Sequence, residues 1–316
     1  MTDLTIFIAS VGPNVFKTNL IETIYSIAKN IGDFDYKFYI VVDDPDIEAF
    51  VKQTFDNQQL RQFIKEESLL EIVYTRDSWA TDYNEFFEKY KDTTRYILSS
   101  HDDIVMHTPN FFGKTLEEIE GYEEEVGWIV YTNNHYYNLP TGPMPNSFGN
   151  GFHTDMKNFP FVYECHNFNK GLRLTNENKH LMDFPERAVR CHGPWDFMVV
   201  SAQAMKKIGP CAHFGPYTML IDEDWALESL KNNLINIWVP SVSLTHPNPK
   251  NVGRRRLELR FADEAHELFI KKWGFRAHDD YEIAEKREEI LEKYKDTNIP
   301  WSSARKSYEW DYLKNE

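Results

Sequence analysis

Cysteine is scarce in this chain: Cys165, Cys191 and Cys211 are the only three in 316 residues, and no two form a Cys-x-x-Cys pair. An odd, widely spaced set excludes a disulfide-built scaffold and a zinc ribbon, and it points to a reducing compartment. Long apolar runs are missing as well. The run near the start, Leu4 to Val11, falls far short of the roughly 18 residues that span a bilayer, and no basic leader precedes it. The expectation is a cytoplasmic protein with no transmembrane segment, at most peripheral to a membrane. Basic charge is in deficit, with 35 Lys and Arg against 50 Asp and Glu and a net charge of −15. A general nucleic-acid binder needs a basic surface, so that partner is excluded. A small anionic ligand is not, because a bound metal ion can mediate the contact. No glycine-rich basic loop follows the first apolar run, where Val11-Gly12-Pro13-Asn14 stands; this argues against a nucleotidyltransferase. Internal repeats and low-complexity tracts are also absent.

What is present is enough apolar surface for a sizeable core: 41% of the residues are hydrophobic and 15% aromatic. The length suits two domains, or one large α/β domain with an appendage. Strand patterns at Thr5–Ser10, Lys37–Val42, Leu69–Tyr74 and Tyr96–Ser99 alternate with helical ones. Phe16, Leu20, Ile24, Ile27, Ala28 and Ile31 recur at three- and four-residue spacing; residues 46–64 and 82–90 also read as helical. Such alternation predicts right-handed crossovers and a mainly parallel, twisted sheet. From about Tyr131 to Pro194 the periodicity weakens, and Asn, Pro, Gly, His and Tyr dominate, as in a functional loop region. Regular patterns return with a strand at Phe197–Ser201, helices from Ala202 and near Asp222, and a strand at Asn236–Leu244. Helical patterns follow in 262–273 and 281–294. The predicted organisation is a working domain over 1–250, with halves at 1–105 and 106–250, and a helical C-terminal extension over 251–316.

In open α/β sheets, ligands bind beyond the carboxyl ends of the strands. Ser10, Asp44, Asp102, Asp103 and His246 all follow predicted strands. Asp102-Asp103 can serve a divalent metal and a diphosphate, since a hard cation takes carboxylate and phosphate oxygens; either residue can equally cap a turn. His246 can be an imidazole ligand, which manganese tolerates better than calcium, or a hydrogen-bonded interior histidine. Asp222-Glu223-Asp224 opens a helix, where acids complement the dipole, or else supplies a general base. Trp79, Tyr83, Trp195, Phe214 and Tyr217 can stack on a sugar or base, or pack as core. Gly253-Arg254-Arg255-Arg256 reads as an exposed helix start or an anion grip.

The order of these segments resembles the inverting glycosyltransferases of family 2, which have the GT-A fold. The resemblance runs through Ile6-Phe7-Ile8-Ala9-Ser10, Ile40-Val41-Val42-Asp43-Asp44, the Asn84 helix into Asp102-Asp103-Ile104, Met205 to Gly209, Glu223-Asp224-Trp225-Ala226-Leu227, Val239-Pro240 and His246. It covers roughly residues 4–248. It implies a donor that is a nucleoside-diphosphate sugar of UDP or GDP type, a carbohydrate or glycoconjugate acceptor, and a divalent metal, Mn2+ or Mg2+. By position it implies Asp44 against the nucleotide base, with Ala9 and Ser10 nearby, and Asn84 and Asp102 on the nucleotide sugar. Asp103 and His246 would hold the metal and Asp224 would act as base, while Trp195, Glu223 and Trp225 would face the acceptor. Val11, Pro45, His101 and Ala226 depart from the family's usual residues. A retaining transferase on the same fold, and a binding protein with a decayed site, are the alternatives.

If Asp103 and His246 hold the metal, Asp103→Ala abolishes manganese-dependent nucleoside-diphosphate binding in a folded protein, and His246→Ala weakens it. Calorimetry reads both, and unchanged affinity in the two variants removes the metal assignment.

Overall fold

The computed structural model describes residues 1–10, 17–57, 63–75, 78–134, 143–145, 188–190, 197–214, 220–245 and 264–274. Among them the chain opens with β1 (Thr2–Ser10), α1 (Lys17–Asn30), β2 (Tyr36–Val42), α2 (Pro45–Asp56), β3 (Leu69–Tyr74), α3 (Trp79–Tyr90) and β4 (Thr94–Ser100). It continues with β5 (Val105–Met106), α4 (Phe111–Ile119), β6 (Val126–Asn134), β7 (Pro143–Pro145), β8 (Val189–Arg190) and β9 (Phe197–Ser201). Last come α5 (Ala202–Ile208), α6 (Ile221–Lys231) and β10 (Ile235–Thr245), then α7 over 264–273. The helix expected over 46–64 ends earlier, at Asp56, where Asn57 takes an extended backbone and its N–H bonds Thr54 O.

These strands form one sheet in the order β3-β2-β1-β4-β9-β6-β10-β5, with β7 on β6 and β8 on β10. The pairs β1·β2, β1·β4, β2·β3 and β6·β10 are parallel, whereas β9 is antiparallel to both β4 and β6. The sheet is therefore mainly parallel, with β9 reversed inside it.

Period-2 alternation divides the strand residues between two faces. On one face Ile6, Ile8, Phe38, Ile40, Leu98, Ile129 and Val199 are buried against α1, α2 and α4, through residues such as Leu20, Ile24, Val51, Phe55 and Phe111. On the other, Phe7, Tyr39, Val41, Ile97, Trp128 and Val200 are buried against α3, α5, α6 and α7, through Tyr83, Phe86, Met205, Trp225 and Phe269. Strands buried on both sides read as continuous apolar runs. Right-handed crossovers carry the chain from β1 through β2 to β3 on one side, and the next connection lands β4 on the other side of β1. The gap between the carboxyl ends of β1 and β4 is thus the topological switch point.

Buried hydrogen bonds fix the chain just past β4. Met106 N–H donates to Ser26 Oγ at 3.0 Å, and Met106 O accepts from Asn30 Nδ2 at 2.9 Å. Asn30 Nδ2 also reaches Ser26 O at 2.9 Å. On its other side β5 pairs antiparallel with β10, Val105 opposite Thr245 and Met106 opposite Leu244, and His107 N–H donates to Ser243 O at 3.1 Å. The turn carrying Asp102 and Asp103 is thereby secured to α1 and to β10. Asn30→Ala removes two buried hydrogen bonds and is expected to cost about 1–3 kcal/mol. A lowered urea midpoint with an unchanged m-value measures it.

Candidate functional site

Ser10 ends β1, and Asp102 follows β4, its parallel neighbour; the Ser10 hydroxyl donates to Asp102 Oδ2 at 2.7 Å. This bond spans the switch point. Asp102 is half-buried, and Asp103 beside it is 5% exposed. Ala9 is half-buried and packs on the α3 face of the sheet.

Asp44 follows β2 and caps α2. Its Oδ1 accepts from Asp46 N–H at 2.7 Å, and Pro45 sits in the first turn, where its missing N–H costs nothing. Capping thus occupies one oxygen of a half-buried carboxylate.

Asn84 is hydrogen-bonded within the fold. Its Nδ2 donates to Cys211 O at 2.9 Å and its Oδ1 accepts from Cys211 N–H at 2.7 Å. With both ends of the amide bound, it clips α3 to the chain after α5. Cys211 itself is a buried free thiol. Burial pushes its pKa well up, and the nearby Asp224 and Asp222 charges add to the rise. A thiol held neutral is neither nucleophile nor metal ligand.

Trp225 lies in the interior. It has no exposed surface, and its ring stacks on Trp128 with centroids 4.6 Å apart while Tyr83 lies 4.9 Å away at a steep angle. It packs against these rings as a core residue. Tyr83 and Phe214 belong to the same core, and only Trp79, at the start of α3, is half-buried. Among the other residues singled out in the sequence, His246, Trp195, Tyr217 and Arg254 to Arg256 lie outside the described residues, as does the side chain of Glu223.

Asp224 is enclosed, with zero exposure. Its Oδ1 accepts from Lys272 Nζ at 2.6 Å and from Trp273 Nε1 at 2.7 Å. Its Oδ2 is buried without a hydrogen-bond partner among the described residues. Burial raises the Asp224 pKa above the ordinary carboxylate value, and the bonds from Lys272 and Trp273 hold that rise back. Burial alone would lower the Lys272 pKa, but bonds to Asp224 and Glu228 outweigh it and leave the ammonium above its usual value. Because the carboxylate is covered, an acceptor hydroxyl reaches it only when a covering side chain gives way. The sequence gives no sign of Lys272 and Trp273 as site residues: the 262–273 pattern marks a helix, but nothing in it says which buried acid the helix will meet.

Three or more His, Cys, Asp or Glu side chains do not gather into a metal cage among the described residues. Asp102 and Asp103 fit the other common arrangement for a small divalent ion, in which one or two carboxylates hold it and phosphate oxygens and water complete the shell. Thr245, whose Oγ1 shares a 2.6 Å hydrogen bond with His107 Nε2, directly precedes His246 in the chain. It pairs with Val105, two residues past Asp103.

Among the described residues no helix is long and apolar enough to cross a membrane. No protein-family model matches this chain, and no curated protein matches it in sequence. Among solved structures it is similar to GalNAc-T7 crystallised with UDP, GalNAc and Mn2+, with a TM-score of 0.51 and 12% sequence identity. The match covers 92% of this chain and 55% of that one, so this chain spans about half the length of its neighbour. At that identity the likeness is one of fold and does not extend to family 2 or to a stereochemical course. The fold is a mixed α/β, mainly parallel sheet covered by helices on both faces, matching the GT-A arrangement.

Proposed function

We propose that this protein is a metal-dependent glycosyltransferase that moves a sugar from a nucleoside-diphosphate sugar to a hydroxyl of a carbohydrate or glycoconjugate. The observation that carries the reading is the Ser10–Asp102 hydrogen bond across the switch point of a GT-A sheet, with Asp103 next in the chain. That crevice is where such sheets bind nucleotides. The neighbouring structure, which holds UDP and Mn2+, supports the same donor class and metal.

On this reading residues 1–105 bind the donor and 106–250 shape the acceptor site. Asp44 and Ala9 border the nucleotide base with Ser10, and Asp102 lies against the ribose and diphosphate. Asp103 and His246 hold the divalent ion, with Asp102 beside them. When bound, the ion neutralises charge developing on the departing diphosphate. Asp224 takes the proton of the acceptor hydroxyl through Oδ2, since a neutral hydroxyl is a poor nucleophile. One in-line displacement then inverts the anomeric centre. A retaining transferase on this fold is the second reading; the zero exposure of Asp224 favours it, because an inverting base has to meet its acceptor.

A thermal-shift panel of UDP and GDP with and without Mn2+ tests the donor site, and a rise in melting temperature that requires the metal is expected. Asp224→Asn is expected to lower turnover by about 10²–10⁴-fold while leaving donor binding intact, with Asp222→Asn much milder. NMR of the product is expected to show inverted configuration; retention overturns the base role and selects the second reading.

A further inference from the structure

Asp224 is held unequally. Lys272 Nζ and Trp273 Nε1 both bind Oδ1, at 2.6 and 2.7 Å, while Oδ2 is buried with no hydrogen-bond partner among the described residues. Leaving a buried acceptor without a donor costs its hydration, and most buried carboxylate oxygens are paired, although Glu125 Oε2 is another without a partner among the described residues. A general base needs an unequal arrangement: one oxygen anchored to set orientation, the other keeping its lone pair for a proton.

The anchor has further contacts of its own, although the Lys272 side chain is 31% exposed and Trp273 half-buried. Lys272 Nζ also meets Glu228 Oε1 at 3.0 Å, one turn along α6 from Asp224. The Trp273 ring lies under the ammonium groups of Lys231 and Lys272, at 5.6 and 5.2 Å. Ala265 and Phe269 bury α7 in the same core as Trp225. Contacts of this kind restrict the orientations open to the group they hold.

We infer that Lys272 and Trp273 are positioning residues that hold Asp224 by one oxygen and leave the other for the acceptor proton, so that α7 is part of the catalytic apparatus. The inference rests on the reading of Asp224 as the base. In the step it serves, the acceptor proton passes to Asp224 Oδ2 and the acceptor oxygen bonds to the anomeric carbon. The bond from that carbon to the diphosphate oxygen breaks, and its electron pair leaves with the diphosphate.

The groups around Asp224 set the sign of a pH test. Lys272 faces it from α7, and Glu228 and Asp222 share its helix. Cys211 from the segment after α5 and Tyr83 from α3 are both kept neutral by burial. Burial raises the Asp224 pKa and Lys272 opposes the rise. Removing the ammonium therefore raises it further, and the acid limb of kcat/KM moves to higher pH.

The experiment uses the full chain with Mn2+, a set of UDP- and GDP-linked hexoses and a panel of mono- and oligosaccharide acceptors, monitoring release of nucleoside diphosphate across pH. Lys272→Met is expected to move the acid limb up by about one unit or more and to lower kcat about tenfold at the acid end, with the donor KM unchanged. Lys272→Arg is expected to restore the limb. Trp273→Phe, which keeps the packing and removes the N–H, is expected to lower kcat with little movement of the limb. If Lys272→Met fails to fold by circular dichroism, Lys272→Gln and Trp273→Phe carry the test. If Asp224→Asn stops turnover while the Lys272 and Trp273 variants keep the wild-type profile and kcat, the positioning role is overturned and the base reading stands. If Asp224→Asn turns over normally, or the wild type releases no nucleotide from any donor, the base reading falls and the positioning role falls with it.

Discussion

The turn between β4 and β5 is pinned by buried hydrogen bonds, and the candidate donor site depends on it. Ser26 and Asn30 of α1 take up both backbone groups of Met106, and the Ser10 hydroxyl holds Asp102 from the end of β1. Adjacent carboxylates repel each other and prefer water. Asp103 nevertheless stays 5% exposed, because the backbone on either side is tied to α1, β1 and β10 and has nowhere to swing. The two acids thus sit on a fixed stretch of chain.

The two faces of the sheet divide the labour. The α1 side is packed by aliphatic and aromatic groups and contributes the Ser26–Asn30 clip. The α3 side stacks Trp79, Tyr83, Trp225 and Trp128 in contact with one another and places Asp224 beneath α7. Tyr83, Trp128 and Trp225 each keep a buried polar atom with no partner among the described residues. Asp224 Oδ2 is a fourth such atom in this layer. Natural interiors hold few such groups, and they concentrate where a function requires them.

Strand runs are readable because residues such as Phe38 to Val42 and Ile6 to Ser10 are buried on both faces, and continuous burial selects continuous apolarity. The start of α2 is readable from Asp44-Pro45, a cap followed by the one residue that gives up no hydrogen bond there. α4 and β6 are not. Phe111 and Phe112 are adjacent and both buried, which blurs helical spacing, and β6 lies where β9 and β10 enclose it, with its polar end at Thr132 to Asn134 giving no strand signal. Beyond residue 250, α7 buries Ala265 and Phe269 in the core of the sheet's α3 face.

The sequence by itself determined the class of fold, the strand ends at which Ser10, Asp44 and Asp102-Asp103 stand, and the deficit of basic charge. These are local properties: periodicity, capping and composition act within a few residues of chain. The tertiary structure decided which of those groups meet. It joined Ser10 to Asp102 across 92 residues, engaged Asn84 with Cys211, put Trp225 into the interior, and brought Lys272 and Trp273 onto Asp224 from nearly fifty residues away. Contacts at such separation depend on crossover handedness and on how helices fill the two faces of the sheet. Neither is written in the residues that finally touch.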